Sequence, residues 1–275
     1  MTREKYKEFD FKDFGNLDLS EDADYLVDSM DELYDLEGIQ GIKERAIQNL
    51  KVAPGDKVLE LGCGLGHDAE TFGELVGPTG SVIAIDSSQK MLARAQRKSQ
   101  HKNVSYVHAN ASSLNYPDKS FDICHADRVL ISQPDPWHVL QEAIRLLKPH
   151  GKLSVTDCDF GSIVIHPFDE KITPILKDRL QAITLHPLIG RELYQKFHDH
   201  GLINIAVTPE PYIVQSFNKL NTMIDVPRIL KDLCVLEKVT QAEMEKQLAL
   251  FNEAEKNKMF LYAIIFFTVQ GEKVG

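Results

Sequence analysis

Hydrophobic positions recur every three or four residues from Leu26 through Leu36, and again from Ile39 through Leu50. That is the helical period, and with Ser20 as N-cap ahead of acidic residues it predicts two helices split near Gly38. Residues 1–20 are polar with scattered aromatics, Tyr6, Phe9, Phe11 and Phe14, the pattern of an arm that orders only over something apolar, as a lid would. After the turn Pro54-Gly55-Asp56 the period changes. Short apolar runs at Lys57–Leu61, Ser81–Asp86, Val104–His108, Phe121–Ala126 and Lys152–Asp157 predict strands, and the segments His67–Leu75, Ser88–Ser99 and Pro136–Leu147 between them predict helices. Alternation of this kind predicts an α/β fold, a mostly parallel sheet with helices on both faces.

Beyond Asp157 the rhythm breaks. Pro167, Pro174 and Pro187 punctuate a helical insertion, Ile189–His200 reads as a helix ended by Gly201, and Leu202–Pro209 and Tyr212–Val214 read as extended. Phe217–Asn257 is largely helical in pattern, and Met259–Val269 is a strongly apolar last strand.

Composition narrows the function classes. The 275 residues carry a net charge of -10 with no sustained basic run, which argues against a nucleic-acid partner. Cys63, Cys124, Cys158 and Cys234 are far apart and lack flanking histidines at zinc spacing, so neither a disulfide framework nor a metal site is expected. His198-Asp199-His200 falls at a helix C-terminus, where histidine commonly meets the helix dipole, and is not read as a metal site. The N-terminus lacks the apolar stretch of a secretion signal, and the longest apolar run, Leu261–Val269, is about half of the ~20 residues a membrane span needs. A cytoplasmic protein without a membrane span follows, and a homodimer is left open.

The most informative segment is Glu60-Leu61-Gly62-Cys63-Gly64-Leu65-Gly66-His67-Asp68, where glycines at alternate positions follow a strand and open a helix. Glycine lets a backbone turn tightly and approach a ligand closely, and the helix N-terminus offers unpaired N–H groups. Asp86 closes the next strand 20 residues after Gly66, where a carboxylate can accept both hydroxyls of a ribose. A dinucleotide remains a competitor, but its GxGxxG fingerprint would put the third glycine at His67, whose side chain obstructs a close pyrophosphate approach.

Four ordered motifs then carry a resemblance. Glu60 to Gly66 resembles motif I of class I S-adenosylmethionine-dependent methyltransferases, and Ala84 to Leu92 resembles their second motif. The run from His108 to Asp122 is similar to a third motif usually written GDAxxLPFPDxSFD, and Arg145 to Leu153 is similar to the RxLKPGG turn before strand five. The match spans about residues 40 to 160 and points to the type 11 group of small-molecule methyltransferases, with those of ubiquinone and menaquinone biosynthesis. It implies a Rossmann-like sheet of seven strands with the last strand antiparallel between the fifth and sixth. It also implies an N-terminal arm and helical cap at 1–50, a cofactor-binding core at 51–158, and final strands with helical substrate-binding insertions at 159–275.

The resemblance further implies that S-adenosyl-L-methionine is bound and S-adenosyl-L-homocysteine released. Glu60, Gly62, Cys63, Gly64, Gly66 and Asp68 would hold its methionine end, and Asp86 and Ser87 its ribose. Met91, Asn110, Ala111 and Ser112 would lie at the adenine, with Asp127 and Arg128 beside the transferred methyl. Asn110 stands where the family usually has an acid, and its amide oxygen can accept the adenine amino group without charge assistance. Ser132 stands where relatives often have histidine, so no general base is fixed there. Asp68 can equally be a helix cap, and Asp127-Arg128 a local ion pair.

A sulfonium is already a good leaving group, so alignment and water exclusion are the main tasks. For a hydroxyl acceptor a base would help, and Tyr6, Tyr25, Tyr34, His166 and His186 are candidates, Tyr25 and His166 foremost. Phe160, Ile163, Phe168, Phe217, Met223, Ile224 and Leu230 in the insertions suit an apolar or aromatic small-molecule acceptor or simply fill the lobe's core. An NAD-linked oxidoreductase and a non-catalytic cofactor-binding protein stay open beside the methyltransferase.

Overall fold

In the computed structural model, which describes residues 17–19, 27, 28, 30 and 37–275, the alternation becomes a single seven-stranded sheet. Helix α1 (Glu37–Leu50) precedes β1 (Lys57–Leu61), α2 (His67–Val76), β2 (Ser81–Asp86), α3 (Gln89–Lys98), β3 (Val104–His108) and β4 (Phe121–Asp127). Then follow α4 (Pro136–Leu146), β5 (Leu147–His166), α5 (Ile172–Ala182), α6 (Ile189–Asp199) and β6 (Leu202–Val214). Three helices, α7 (Phe217–Met223), α8 (Val226–Val235) and α9 (Gln241–Lys256), lead to β7 (Leu261–Lys273). The strand order is β3-β2-β1-β4-β5-β7-β6, with β7 antiparallel to both neighbours and the other pairings parallel. The expected fold, including the place and direction of the last strand, is therefore found. The helix expected just after Ser20 lies outside the described residues, scattered positions apart.

Central strands are apolar on both sides because both faces are covered. Val58 and Leu59 are adjacent in β1 and both fully buried. Val58, Val82 and Ile123 pack with Phe72 and Val76 of α2 and with Ile47 and Leu50 of α1, while Leu59, Ile85 and Cys124 pack on the opposite face with residues of α4 and α6. Ser88 caps α3 by accepting the Met91 N–H at 3.1 Å, and Asp135 caps α4 by accepting the His138 N–H at 3.0 Å.

Two elements differ from the sequence reading. Strand β5 was expected over Lys152–Asp157 and instead runs 20 residues, because its far half pairs with β7 from Asp159↔Ile265 to His166↔Leu261. Along this far half buried Ile163 and Ile165 alternate with exposed Val164 and His166, as in a strand with one covered face. Strand β6 is continuous through Pro209 and Pro211, which the sheet tolerates because β6 is an edge strand. Together β5, β7 and β6 form a tongue that continues past the ends of β1 and β4 and carries a second core with α5, α7, α8 and α9. That core is centred on Phe217, Phe251 and Phe260, whose ring centroids lie 5.1 to 5.6 Å apart.

Where the tongue leaves the parallel sheet, Asp157 is fully buried and accepts the Leu130 N–H at 3.1 Å, tying the turn after β4 to β5. Its other oxygen has no partner among the described residues. Burial, and then the neighbouring Asp127 carboxylate, push its carboxyl well above the ordinary value. No described helix is long and apolar enough to cross a membrane.

Two stability outcomes follow. Phe251→Ala should cost about 3–5 kcal/mol in urea unfolding, since it opens a cavity in the second core, and a loss under about 1 kcal/mol would contradict that core. A carboxyl raised by folding contributes stability below its unfolded pKa and loses it as pH climbs through the folded value. Asp157→Asn should therefore gain on the unsubstituted protein as pH rises above the ordinary carboxylate range, and a pH-independent difference would contradict the raised carboxyl.

Candidate active site

The glycine loop turns because its residues occupy the left-handed region, with φ of 63° at Gly62, 51° at Gly64 and 80° at Gly66. Gly66 has no room for more, since a Cβ there would lie 2.4 Å from the Tyr106 hydroxyl. Gly64 is different: a Cβ would meet nothing within 4 Å, so the loop at this point borders open space. Its N–H donates to Asp86 Oδ2 at 2.8 Å, and the Ser88 N–H donates to Asp86 Oδ1 at 2.8 Å. Burial raises the Asp86 carboxyl, an effect these backbone N–H groups partly offset.

The open space is a cavity of about 330 Å³ at the C-terminal ends of the parallel strands, between them and the tongue. One part is lined by Gly62, Gly64, Asp86, Ser87, Met91, Asn110 and Ala111. The other is lined by Ile131, Cys158, Phe160, Leu185, Met223, Tyr262 and Phe266, with Tyr212 presenting its hydroxyl to Met223 Sδ at 3.3 Å. Asp127 and Arg128, at the end of β4, line it as well. Arg128 itself has φ 56°, and its backbone N–H donates to Thr156 O at 2.7 Å, which fixes this left-handed bend against β5.

Asp127 and Arg128 do form an ion pair. Nε and Nη2 of Arg128 donate to the same oxygen, Asp127 Oδ2, at 3.1 and 3.0 Å. That oxygen also takes the Lys43 ammonium at 2.5 Å, and Lys43 bridges to Asp68 Oδ2 at 2.5 Å. Among the described residues Asp127 Oδ1 and Arg128 Nη1 have no hydrogen-bond partner. Burial would raise both acids, but Lys43 and His125 bring Asp68 far below the ordinary range, and Arg128 and Lys43 bring Asp127 below it. Burial would lower Lys43, yet Asp127 and Asp68 hold it above its usual value. Glu60 differs: burial and then Asp68 push it well up, and its Oε2 has no partner among the described residues.

The structure places the expected contacts in different settings. Glu60, Cys63, Gly66, Asp68 and Ser112 do not line the cavity; Glu60 and Asp68 are buried on either side of the loop rather than at the cavity wall. Asn110 Oδ1 already accepts the Ser112 N–H at 2.9 Å and its hydroxyl at 2.8 Å, so the acceptor expected for the adenine amino group is engaged in a local turn. His166 is exposed at the far end of β5, away from the cavity, because the strand is longer than expected. His186 contacts Gln133 O at 2.9 Å and does not line the cavity, and Phe168 is exposed. Ile163, Phe217 and Leu230 belong to the second core, while Phe160, Met223 and Ile224 face the cavity. Ser132 lines it but gives its hydroxyl to Val129 O at 3.0 Å. Tyr6, Tyr25 and Tyr34 lie outside the described residues.

Sequence reasoning missed Lys43 and His125. Lys43 stands on the same face of α1 as buried Ile39, Ile42 and Ala46, and a lone cation within an apolar stripe was its signal. His125 is 1 % exposed, pairs in register with Glu60 across β1 and β4, and lies 3.6 Å from Asp68 Oδ2, beyond hydrogen-bond range. A titratable residue inside an apolar parallel strand was its signal.

Residues 53–203 match a family model described as a methyltransferase domain. The demethylmenaquinone methyltransferase of Shouchella clausii is 35% identical over 187 residues, 67% of this chain and 76% of that protein. An uncharacterized 37.1 kDa protein in a transposon of Streptomyces fradiae is 33% identical over 185 residues, 66% of this chain and 54% of that protein, so the chain spans about half its length. The YcgJ protein of Bacillus subtilis shares the fold, with a TM-score of 0.58 at 19% identity over 85% of this chain and 98% of that one. With the family model spanning more than half of the chain, over the parallel strands and the glycine loop that line one part of the cavity, the protein belongs to the methyltransferase domain family, on the Rossmann-like fold of the class I S-adenosylmethionine-dependent enzymes.

Proposed function

We propose that the chain transfers a methyl group from S-adenosylmethionine to a small apolar or aromatic acceptor. The observation that carries this reading is one cavity with two chemistries, Gly64 and Asp86 at one part and Phe160, Met223, Tyr262 and Phe266 at the other. The cofactor fits the residues present. Gly64 leaves room where any side chain would intrude, Asp86 offers a carboxylate for ribose hydroxyls, and Asp127 Oδ1 offers an open acceptor for an ammonium. When bound, S-adenosylmethionine supplies a sulfonium methyl that passes to the acceptor atom by direct displacement, leaving a neutral thioether.

The chain's own residues then have positional work. Met91 is 4 % exposed and packs beside Leu17 and Leu65, an apolar surface suited to the face of an adenine. Arg128 is anchored to Asp127 through two nitrogens, which leaves Nη1 to donate to an oxygen of the acceptor beside the methyl. The aromatic and aliphatic walls hold the rest of the acceptor and exclude water, so the two reacting atoms meet without competing hydrolysis. The name of the Shouchella clausii relative, a demethylmenaquinone methyltransferase, supports an apolar ring-bearing acceptor.

Two measurements test the reading. At 100 times its dissociation constant adenosylhomocysteine should stabilise the protein by ~2.7 kcal/mol in thermal unfolding, NAD should give no shift, and Asp86→Ala should remove the effect. A shift with NAD and none with adenosylhomocysteine would overturn it. On a panel of phenols and hydroquinones, Arg128→Lys, which keeps a cation for Asp127 but has no second nitrogen for the acceptor, should lower turnover about 100-fold with cofactor affinity within about threefold, as expected for a group that acts on the acceptor. A proportionate loss of cofactor affinity would contradict that role.

A further inference from the structure

Helix α1 places one charged side chain on its buried face. Lys43, with 12 % of its side chain exposed, reaches two acids that belong to different units of the fold, Asp68 at the start of α2 and Asp127 at the end of β4. Both contacts are 2.5 Å. Without the ammonium these acids, close enough to share it, would face each other beside buried Glu60 with Arg128 as the remaining cation on Asp127. Like charges in so dry a place cannot both stay ionised and fixed; one takes a proton or swings away.

The geometry at Asp127 gives the bridge a function. Lys43 and Arg128 grip the same oxygen, Oδ2, from α1 and from β4. Two cations on one oxygen fix the rotation of the carboxylate, and the oxygen they leave, Oδ1, belongs to a residue that lines the cavity. The same helix brings Ile39 to the cavity wall and sets Gly38 against the Tyr212 ring, where an added Cβ would lie at 2.9 Å. Seating α1 and orienting Asp127 are thus one event.

We infer that Lys43 is a positioning residue: by pinning Asp127 Oδ2 it presents Oδ1 to the ammonium of the cofactor's amino-acid end. The inference rests on the methyltransferase reading above. It assigns Lys43 no contact with the nucleoside, so its effect is selective for one end of the ligand. A purely structural lysine would weaken every ligand alike.

Titration calorimetry on the full chain with two ligands separates these cases. Adenosylhomocysteine carries the amino-acid end, and 5′-methylthioadenosine keeps the nucleoside without it. Lys43→Met should weaken adenosylhomocysteine about tenfold or more while methylthioadenosine changes by less than about twofold, the scale of a charge-assisted hydrogen bond, and Lys43→Arg should recover most of the loss. Should the methionine variant fail to fold, Lys43→Gln carries the same comparison. Equal weakening of both ligands, or no weakening of adenosylhomocysteine, overturns the inference while leaving the cofactor reading intact. Failure of the unsubstituted protein to bind adenosylhomocysteine sinks that reading and the inference with it.

Discussion

Charge taken out of water is costly unless it is paired, and this fold concentrates it where the strands end. Glu60, Asp68 and Asp157 are buried and Asp127 is half-buried at the strand ends, with Lys43 and Arg128 as the cations among them. The two groups of acids resolve the problem differently. Asp68 and Asp127 stay ionised because each touches a cation, whereas Glu60 and Asp157 are driven toward the protonated form.

The sheet explains why such a site is at the strand ends. Parallel strands finish together on one edge, and the loops that follow β1, β2 and β4 meet there. In this chain the antiparallel tongue continues past that edge and turns it into a walled cavity: Cys158 and Phe160 come from β5, Tyr212 from β6, and Tyr262 and Phe266 from β7. One face of the cavity is therefore polar loop and the other apolar sheet. Helix α1 closes the arrangement, because the face that buries Ile39 and Ile42 also delivers Lys43.

How much of this was legible follows from the range of the interactions involved. The strands of the parallel core, and the glycines and Asp86 that follow β1 and β2, are written in local signals: period, capping serines and positive-φ turns. The length of β5 was not, because its far half exists only through pairing with β7, about a hundred residues later. Asn110 looked free to meet a ligand, yet its amide closes a turn with Ser112 two residues on, a competition a sequence reading can anticipate but not decide. Lys43 was hidden for the opposite reason. Its partners come from segments 25 and 84 positions away, and only the folded sheet brings them to one ammonium.

A crystal structure grown with adenosylhomocysteine is the decisive test. The ribose should lie on Asp86, the adenine against Met91, the amino group at Asp127 Oδ1, and the sulfur facing the apolar part of the cavity. Ligand lodged elsewhere, or its amino-acid end turned away from Asp127, would contradict this placement.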